Sequence, residues 1–209
     1  MDAVEFNPSV TPRIKAHTRT LSSAARMQLS SSEIDLYSGD QKTLNASATR
    51  SEMAASGIVW ESSDTSVAAV NGSGVVTAKN PGTATITCYG KNARGIRATC
   101  KVTVKLRQTT GVKLVSKAFN RIRISWKAVP GCNRYAIYRW DERENSKKMA
   151  TVTADVVTWQ DTAVKTGSTY TYRIRASYVH SGKKTVYGAA SSPLSAKAEL
   201  GKARAVATA

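Results

Sequence analysis

The amino-acid sequence predicts an all-β protein built from two tandem β-sandwiches. Apolar and polar residues alternate with a period of two from residue 29 onward, which is the pattern of strands with one buried face. No stretch of 11 or more residues shows the 3.6-residue apolar period of an amphipathic helix. Turn residues interrupt the alternation every 8 to 12 residues, a spacing that is typical of sandwiches.

The chain has 209 residues and 41% hydrophobic content, which suffices for two modest cores. The polar segment "KLRQTT", residues 105–110, separates two series of strands and marks the boundary. We therefore predict a first sandwich at residues 25–106 and a second at residues 107–200. Residues 1–24 are expected to form a leader or linker with little order, and residues 201–209 a tail.

Seven segments of the first half are predicted as strands, separated by Ser-Gly-Asp, Ser-Ser-Asp, Asn-Gly-Ser-Gly and Asn-Pro-Gly turn signals. In chain order they read "EIDLY", "KTLNASAT", "GIVW", "SVAAV", "GVVTA", "TATITCYG" and "RATCKVTVKL". Alternation in the sixth segment places Ala84, Ile86 and Cys88 on the inward face.

Two cysteines, Cys88 and Cys100, fall on inward positions of the last two of these strands. If their hairpin has a three-residue loop at residues 93–95, Cys88 lies directly opposite Cys100 and a cross-strand disulfide is geometrically feasible. Two reduced core thiols are the alternative. If Cys88 and Cys100 form a disulfide, Cys132 has no cysteine left to pair with.

Six further segments are predicted as strands in the second half. They read "RIRISWKAV", "RYAIYRW", "MATVTA", "VVTWQDT", "TYTYRIRASY" and "KTVYGAASSPLSAKAEL". In the second of them, alternation turns Tyr135 and Ile137 inward and Ala136, Tyr138 and Trp140 outward. In the fifth, Tyr170, Tyr172 and Ile174 face inward, and Thr171, Arg173 and Arg175 face outward.

The first half resembles the bacterial immunoglobulin-like domain, group 2, over about residues 25–106. The resemblance rests on Trp60 followed by a Ser-Ser-Asp turn, "SVA" at residues 66–68, "GVVTA" at 74–78 and "GTATI" at 82–86. It implies an immunoglobulin-like sandwich.

The second half resembles a fibronectin type III domain from about residue 111 to residue 200. "ISWKAVPG" contains an inward Trp126, and Val164 stands six residues before Tyr170, the spacing of the family's tyrosine corner. The family's integrin-binding Arg-Gly-Asp tripeptide is absent. Both resemblances imply spacer, adhesin and carbohydrate-associated modules of bacterial surface and secreted proteins, and some group 2 domains also decorate phage virions.

Most of the net charge of +17 lies in the second half, where residues 107–200 contain 17 Lys and Arg against six Asp and Glu. Such an excess favours an anionic partner, and we expect an acidic polysaccharide, a cell-wall polymer or another surface protein. Nucleic acid is a less expected partner. A solvated basic face without any partner is the alternative.

One group of outward residues is a candidate ligand site. Tyr138 and Trp140 lie on one predicted strand, and Arg173 and Arg175 on its expected neighbour, so that two aromatic rings and two guanidinium groups share an exposed face. Aromatic rings stack on sugars or bases, and arginines bind carboxylate or phosphate. Cation-π pairs that stabilise the sheet without a ligand are the alternative. Outward bases of the opposite sheet would extend the positive charge: Arg121, Arg123 and Lys127.

No catalytic or metal motif of the common kinds occurs in the sequence, and we expect no enzyme activity, no cofactor and no metal site. Asp35, Asp40 and Asp64 could meet near a turn and hold calcium, but the polarity of surface loops explains them better. No apolar run approaches 18 residues, so no membrane span is predicted.

These features together predict a non-catalytic spacer or adhesion module that is extracellular or on the cell surface. The first 28 residues lack the apolar core of a secretory signal, so we expect part of a longer or processed chain. The alternatives are a structural decoration protein of a phage virion and the accessory region of a larger polysaccharide-degrading enzyme.

Overall fold

A computed structural model describes residues 25–49, 57–143, 145–180 and 185–199. All 17 regular elements within these ranges are β-strands, which confirms the predicted all-β class. The predicted leader at residues 1–24 lies outside the described residues, as does the predicted tail.

Nine strands form the first half of the chain: β1 (Met27–Leu29), β2 (Glu33–Tyr37), β3 (Gln41–Thr43), β4 (Ala46–Ala48), β5 (Ile58–Ser62), β6 (Ala68–Val70), β7 (Val75–Ala78), β8 (Gly82–Gly90) and β9 (Ala93–Lys105). One sheet has the order β2-β9-β8-β5, and a second has the order β3-β7-β6. β1 pairs with β4, and β2 runs parallel to β9.

Eight strands form the second half: β10 (Lys113–Ala118), β11 (Arg121–Ser125), β12 (Arg134–Trp140), β13 (Ser146–Thr153), β14 (Thr158–Asp161), β15 (Thr169–Val179), β16 (Thr185–Tyr187) and β17 (Leu194–Lys197). One sheet has the order β10-β11-β14. The other has the order β13-β12-β15-β16, and β17 also pairs with β15.

The structure divides two predicted segments and adds two strands. "KTLNASAT" becomes β3 and β4, which pair with different strands, and the last predicted segment becomes β16 and β17. β1 and β10 were not predicted. Every residue of β10 from Lys113 to Lys117 is exposed, so this edge strand lacks the alternation by which the other strands are recognised.

The predicted inward residues form the cores. Ala84, Ile86 and Cys88 are buried in the first half, and Tyr135 and Ile137 in the second. The second core also contains Trp126, Tyr172 and Ile174 as predicted. The Tyr170 hydroxyl accepts a hydrogen bond of 3.0 Å from the backbone N–H of Lys165, the contact that defines a tyrosine corner.

The predicted register of the cysteine hairpin is wrong. Cys88 lies opposite Ala98, and Cys100 lies opposite Ile86, so the observed pairing differs from the predicted one by two residues, and a bulge interrupts the ladder after Tyr89. The hairpin loop is therefore residues 91–92 rather than 93–95. Both thiols are buried and free, and burial raises their pKa above the ordinary value. Cys132 is also a free thiol.

The segment that connects the two sandwiches makes contacts with both of them. Leu106 is buried in the second core, one residue before the predicted start of that sandwich. Arg107 points the other way: its Nη2 lies 2.5 Å from Asp40 Oδ1, and its guanidinium carbon lies 4.7 Å from the centre of the Tyr37 ring. Gln108 and Thr109 then donate hydrogen bonds to backbone carbonyls of the second sandwich.

A second contact between the sandwiches involves two turns. Gly131 has a φ of 72° and packs so closely on Ser38 that a Cβ atom at this position would lie 2.4 Å from the Ser38 Cβ. Gly39 approaches Pro130 from the other side. The two turns and the Arg107 contacts together form what is called the junction below.

Candidate functional site

The structure places all four predicted site residues on one face of the sheet that contains β12 and β15. Tyr138 of β12 lies opposite Arg173 of β15, and Trp140 lies opposite Thr171. Arg175 lies opposite Ala136. The side chains point away from the second core, and this surface is called the outer face below.

Each of the two predicted arginines contacts an aromatic ring. The Arg173 guanidinium carbon lies 5.8 Å from the Trp140 ring centre, and the Tyr138 and Trp140 ring centres lie 6.3 Å apart. Arg175 lies 4.6 Å from the ring centre of Tyr187, and its Nε donates a hydrogen bond to a backbone carbonyl. These are the cation-π pairs that sequence reasoning gave as the alternative to a ligand site.

Ala136 lies on the outer face, the side that alternation predicted for it, yet it is only 3% exposed. Its cross-strand partners are Arg175 and Thr151, whose longer side chains flank the small alanine on both sides. The alternation gave its direction correctly but could not give its exposure.

An open cleft of about 490 Å³ lies at the Trp140 end of the outer face. It is lined by Trp140, Asp141, Glu142, Thr171 and Arg173. Asp141 and Glu142 belong to the turn that follows β12, and sequence reasoning missed them as site residues. Their position directly after Trp140 was the signal that could have indicated them.

Both cleft carboxylates also hold the backbone. Asp141 Oδ1 accepts hydrogen bonds from the backbone N–H groups of Arg143 and Asn145, at 2.9 and 3.0 Å. These bonds lower the pKa of Asp141, with the Asn145 backbone as the largest cause, so the carboxylate is charged at neutral pH. Glu142 Oε1 accepts a hydrogen bond of 2.8 Å from the backbone N–H of Thr169.

A buried charged group supports the sheet beneath the cleft. Asp161 of β14 is 1% exposed, and its Oδ2 accepts hydrogen bonds from Arg139 at 2.9 Å and from the Tyr172 hydroxyl at 2.8 Å. Burial, followed by the bond to Asp161, raises the pKa of Tyr172 well above its ordinary value. Asp161 Oδ1 accepts from the backbone of Ala163. Both carboxylate oxygens are therefore engaged in holding the two sheets together.

The positive charge of the second half is mostly free of carboxylate partners. Among the described Lys and Arg of residues 107–200, only Arg107, Lys117 and Arg139 form ion pairs. Arg121 and Arg123 are exposed on β11 of the opposite sheet, as predicted. In the first half, Glu33, Asp35 and Asp40 each pair with a Lys or Arg. The second half therefore has not only more Lys and Arg than the first half but also more Lys and Arg without an ion pair.

No group of three or more His, Cys, Asp or Glu with the geometry of a metal site occurs among the described residues. Asp35 and Asp40, two of the three carboxylates considered for calcium, are paired with Lys105 and Arg107 instead. The His180 ring packs edge-on against Tyr178, with ring centres 4.7 Å apart. The described residues contain no apolar helix of membrane-spanning length.

The sequence model of the family described as bacterial Ig-like domain (group 2) matches residues 23–102. This match confirms the resemblance predicted for the first half. An uncharacterised protein of Clostridium acetobutylicum is 35% identical over 81 residues. The match covers 39% of this chain and only 8% of that protein, so this chain corresponds to a small part of the length of that relative.

Similar solved structures include domains A168–A170 of titin, with 12% identity and a TM-score of 0.40, covering 84% of this chain and 66% of that one. A fibronectin type III domain of human collagen XX has 16% identity and a TM-score of 0.36, covering 43% and 88%. The third such domain of human KIAA0343 has 18% identity and a TM-score of 0.37, covering 47% and 86%. Fibronectin type III domains are thus among the solved structures that this chain resembles.

Proposed function

We propose that this chain is a non-catalytic spacer and adhesion module of an extracellular or cell-surface bacterial protein. The group 2 immunoglobulin-like match over residues 23–102 supports this class, because such domains commonly occur in surface and extracellular proteins. The second sandwich would then contact an acidic polysaccharide or cell-wall polymer through its basic surface.

The observation that carries the spacer role is the junction. Domains joined in one chain are expected to move relative to each other unless contacts between them prevent it. Here Leu106 is fixed in the second core, while the next residue, Arg107, is paired with Asp40 and stacked on Tyr37 in the first sandwich. Two successive residues thus attach the connecting segment to different sandwiches, which suits a module that holds its ends at a defined distance.

A substitution at Gly131 tests the spacer role. Gly131→Ala places a Cβ against Ser38 across the junction, whereas Gly167→Ala at a similar positive φ meets no atom within 4 Å. Spin labels on the two sandwiches report the distribution of distances between them. We expect one narrow distribution for the unchanged chain and for Gly167→Ala, and a broader one for Gly131→Ala. A broad distribution in the unchanged chain would contradict the spacer role.

The adhesion role is supported by the unpaired bases of the second half. Binding of this kind is electrostatic, and counterion release makes its affinity fall as salt rises. We expect the full chain to be retained on columns of acidic polysaccharide or cell-wall polymer at low salt and released at about 0.5 M salt. A neutral polysaccharide column is the control. No retention on any acidic polymer at low salt would refute this role and leave the spacer role standing.

A further inference from the structure

The cleft at the Trp140 end of the outer face combines charges of both signs. Arg173 is its one basic residue, and this exposed side chain has no ion pair and no hydrogen bond with any described residue. Its guanidinium group lies 5.8 Å from the Trp140 ring centre, so a ligand that touches the indole ring can also reach the arginine. A carboxylate or phosphate is the chemical group that a free guanidinium binds best.

Two carboxylates limit how much negative charge the cleft accepts. Asp141 and Glu142 both line it, and their hydrogen bonds to backbone N–H groups hold them in place. Glu142 Oε2 has no partner among the described residues and remains a free acceptor for a hydroxyl group. Polyphosphate has its charges on successive backbone groups and would bring several anions close to both carboxylates, whereas a uronic-acid oligomer has one carboxylate on each sugar ring and several hydroxyls between its charges.

The aromatic residues define the shape of the ligand. Trp140 and Tyr138 are half-buried rings on the outer face, with ring planes 43° apart. An aromatic ring with a few converging polar groups is typical of sites for ring-shaped polar ligands. Thr171 adds a hydroxyl that is 2.8 Å from the hydroxyl of Ser195 and can also serve a ligand. The set therefore fits a sugar ring that stacks on Trp140.

The outer face continues beyond the cleft along β15. Arg175 follows Arg173 on the same face, and Tyr187 stands opposite Ser177. Positions 171 to 177 span about 20 Å at the rise of a β-strand. Arg175 and its stacked Tyr187 thus offer a second point of contact for an extended ligand.

From these features we infer that the cleft is a subsite for a sugar ring that has one carboxylate, with the ring on Trp140, the carboxylate on Arg173 and hydroxyls on Glu142. The polymer partner of the second sandwich would accordingly be a polysaccharide that contains uronic acid rather than a polyphosphate or a nucleic acid. This inference rests on the adhesion role proposed above and specifies its ligand.

Binding measurements on the full chain, with four probes of similar length, test the proposed subsite. The first is an oligomer of galacturonic acid, and the second is its methyl ester, which keeps the rings and removes the charge. Linear polyphosphate and single-stranded DNA are the third and fourth. At about 0.15 M salt we expect the galacturonate oligomer to bind at least about tenfold more tightly than each of the other three.

Substitutions in the cleft test whether the oligomer binds there. We expect Arg173→Gln and Trp140→Ala each to weaken binding of the galacturonate oligomer at least about tenfold. Arg123→Gln is the matched control, because Arg123 is an exposed arginine on the opposite sheet with no ion pair among the described residues, and we expect less than a twofold change. Glu142→Gln, which keeps the oxygen that accepts from Thr169, should strengthen polyphosphate binding. Thermal unfolding confirms that each variant is folded.

Each alternative outcome of these measurements contradicts a specific part of the proposal. Equal binding of polyphosphate and galacturonate, with equal losses from Arg173→Gln and Arg123→Gln, would overturn the subsite and leave a diffuse basic surface that still meets the proposed function. Tightest binding of DNA would overturn it in favour of nucleic acid. Binding of no acidic probe, even at low salt, would refute the adhesion role as well. The four probes decide between these results on the unchanged chain, even if a variant does not fold.

Discussion

Asp161 shows what one residue contributes to the second sandwich. It is a buried carboxylate whose oxygens bind Arg139, the Tyr172 hydroxyl and the backbone of Ala163. Arg139 in turn lies 4.6 Å from the Tyr170 ring centre. These contacts connect β14 of one sheet with β12 and β15 of the other, so the charged group replaces part of the apolar packing at this end of the core.

Removal of Arg139 should therefore be costly. A buried charge left without its partner typically costs about 3–5 kcal/mol, and because Arg139 is 16% exposed we expect Arg139→Ala to lower the free energy of unfolding by about 3 kcal/mol. Lys101→Ala removes an exposed ion pair with Glu33 and should change it by less than about 1 kcal/mol. Urea denaturation of the full chain measures both, and similar small losses would show that the buried pair adds little.

The sequence alone could not identify Asp161 as a core residue. Its neighbour Trp159 is an obvious strand residue, but the partner of Asp161 is 22 positions away on a strand of the other sheet. Alternation with Tyr135 and Ile137 turns Arg139 inward, but it does not identify the carboxylate that Arg139 pairs with. The candidate residues Tyr138 and Trp140 were easier to place, since alternation fixes their side of the sheet without any knowledge of partners.

At the scale of an element, the turn between β6 and β7 combines local and distant requirements. Gly74 has a φ of 76°, a conformation that glycine adopts without strain. Its backbone N–H donates to the carbonyl of Asn71, and its own carbonyl accepts from Leu44. A Cβ at this position would lie 2.4 Å from the Leu44 carbonyl oxygen and 2.7 Å from Trp60 Cζ2.

Two glycines of this turn provide a matched pair of substitutions. Gly74→Ala meets both the strained φ and the collision with Leu44, so we expect a loss of about 2–3 kcal/mol in the stability of the first sandwich. Gly72→Ala meets no atom within 4 Å and has no positive φ, and it should change stability by less than about 0.5 kcal/mol. Thermal unfolding compares the two, and equal effects would mean that the turn relaxes around the added methyl group.

The hairpin of β8 and β9 shows where strand patterns reach their limit. Alternation correctly predicted that Cys88 and Cys100 both face the core. Which residues of β8 and β9 pair depends on a bulge after Tyr89 and on where the loop begins. The alternation of apolar and polar residues indicates neither of these. The observed register differs from the predicted one by two residues, so Cys88 and Cys100 do not lie opposite each other as the predicted disulfide requires.

At the scale of the whole molecule, the junction contains an ion pair, Arg107–Asp40, beside its packed turns, and this ion pair makes part of its stability depend on pH. The hydrogen bond from Arg107 is the largest cause that lowers the pKa of Asp40 below its ordinary value of 3.8. Since the folded pKa is the lower one, the stabilisation is complete above the unfolded value. It is lost as pH falls through the folded value.

Acid should therefore loosen the junction. We expect the distance distribution between the sandwiches to stay narrow from about pH 8 to about pH 5 and to broaden as pH falls below about 4. Asp40→Asn should give the broad distribution at every pH, because the amide cannot form the ion pair. Asp35→Asn, which removes an exposed ion pair with Lys105, is the control and should match the unchanged chain at neutral pH. A distribution that does not depend on pH would show that Gly131 and Leu106 hold the junction without Arg107.

The sequence by itself determined the all-β class, the series of strands in each half, and the inward or outward direction of residues such as Ile86, Tyr135 and Trp140. These properties are local, because a strand alternates its side chains whatever it pairs with. Only the tertiary structure decided the register of the cysteine hairpin, the burial of Asp161 with Arg139, and the acidic border of the cleft. It also decided that Arg107 binds the sandwich before it, although the sequence placed this residue with the one that follows. The physical reason is that alternation specifies the face of a residue, while neighbours are set by bulges, turns and packing between segments far apart in the chain.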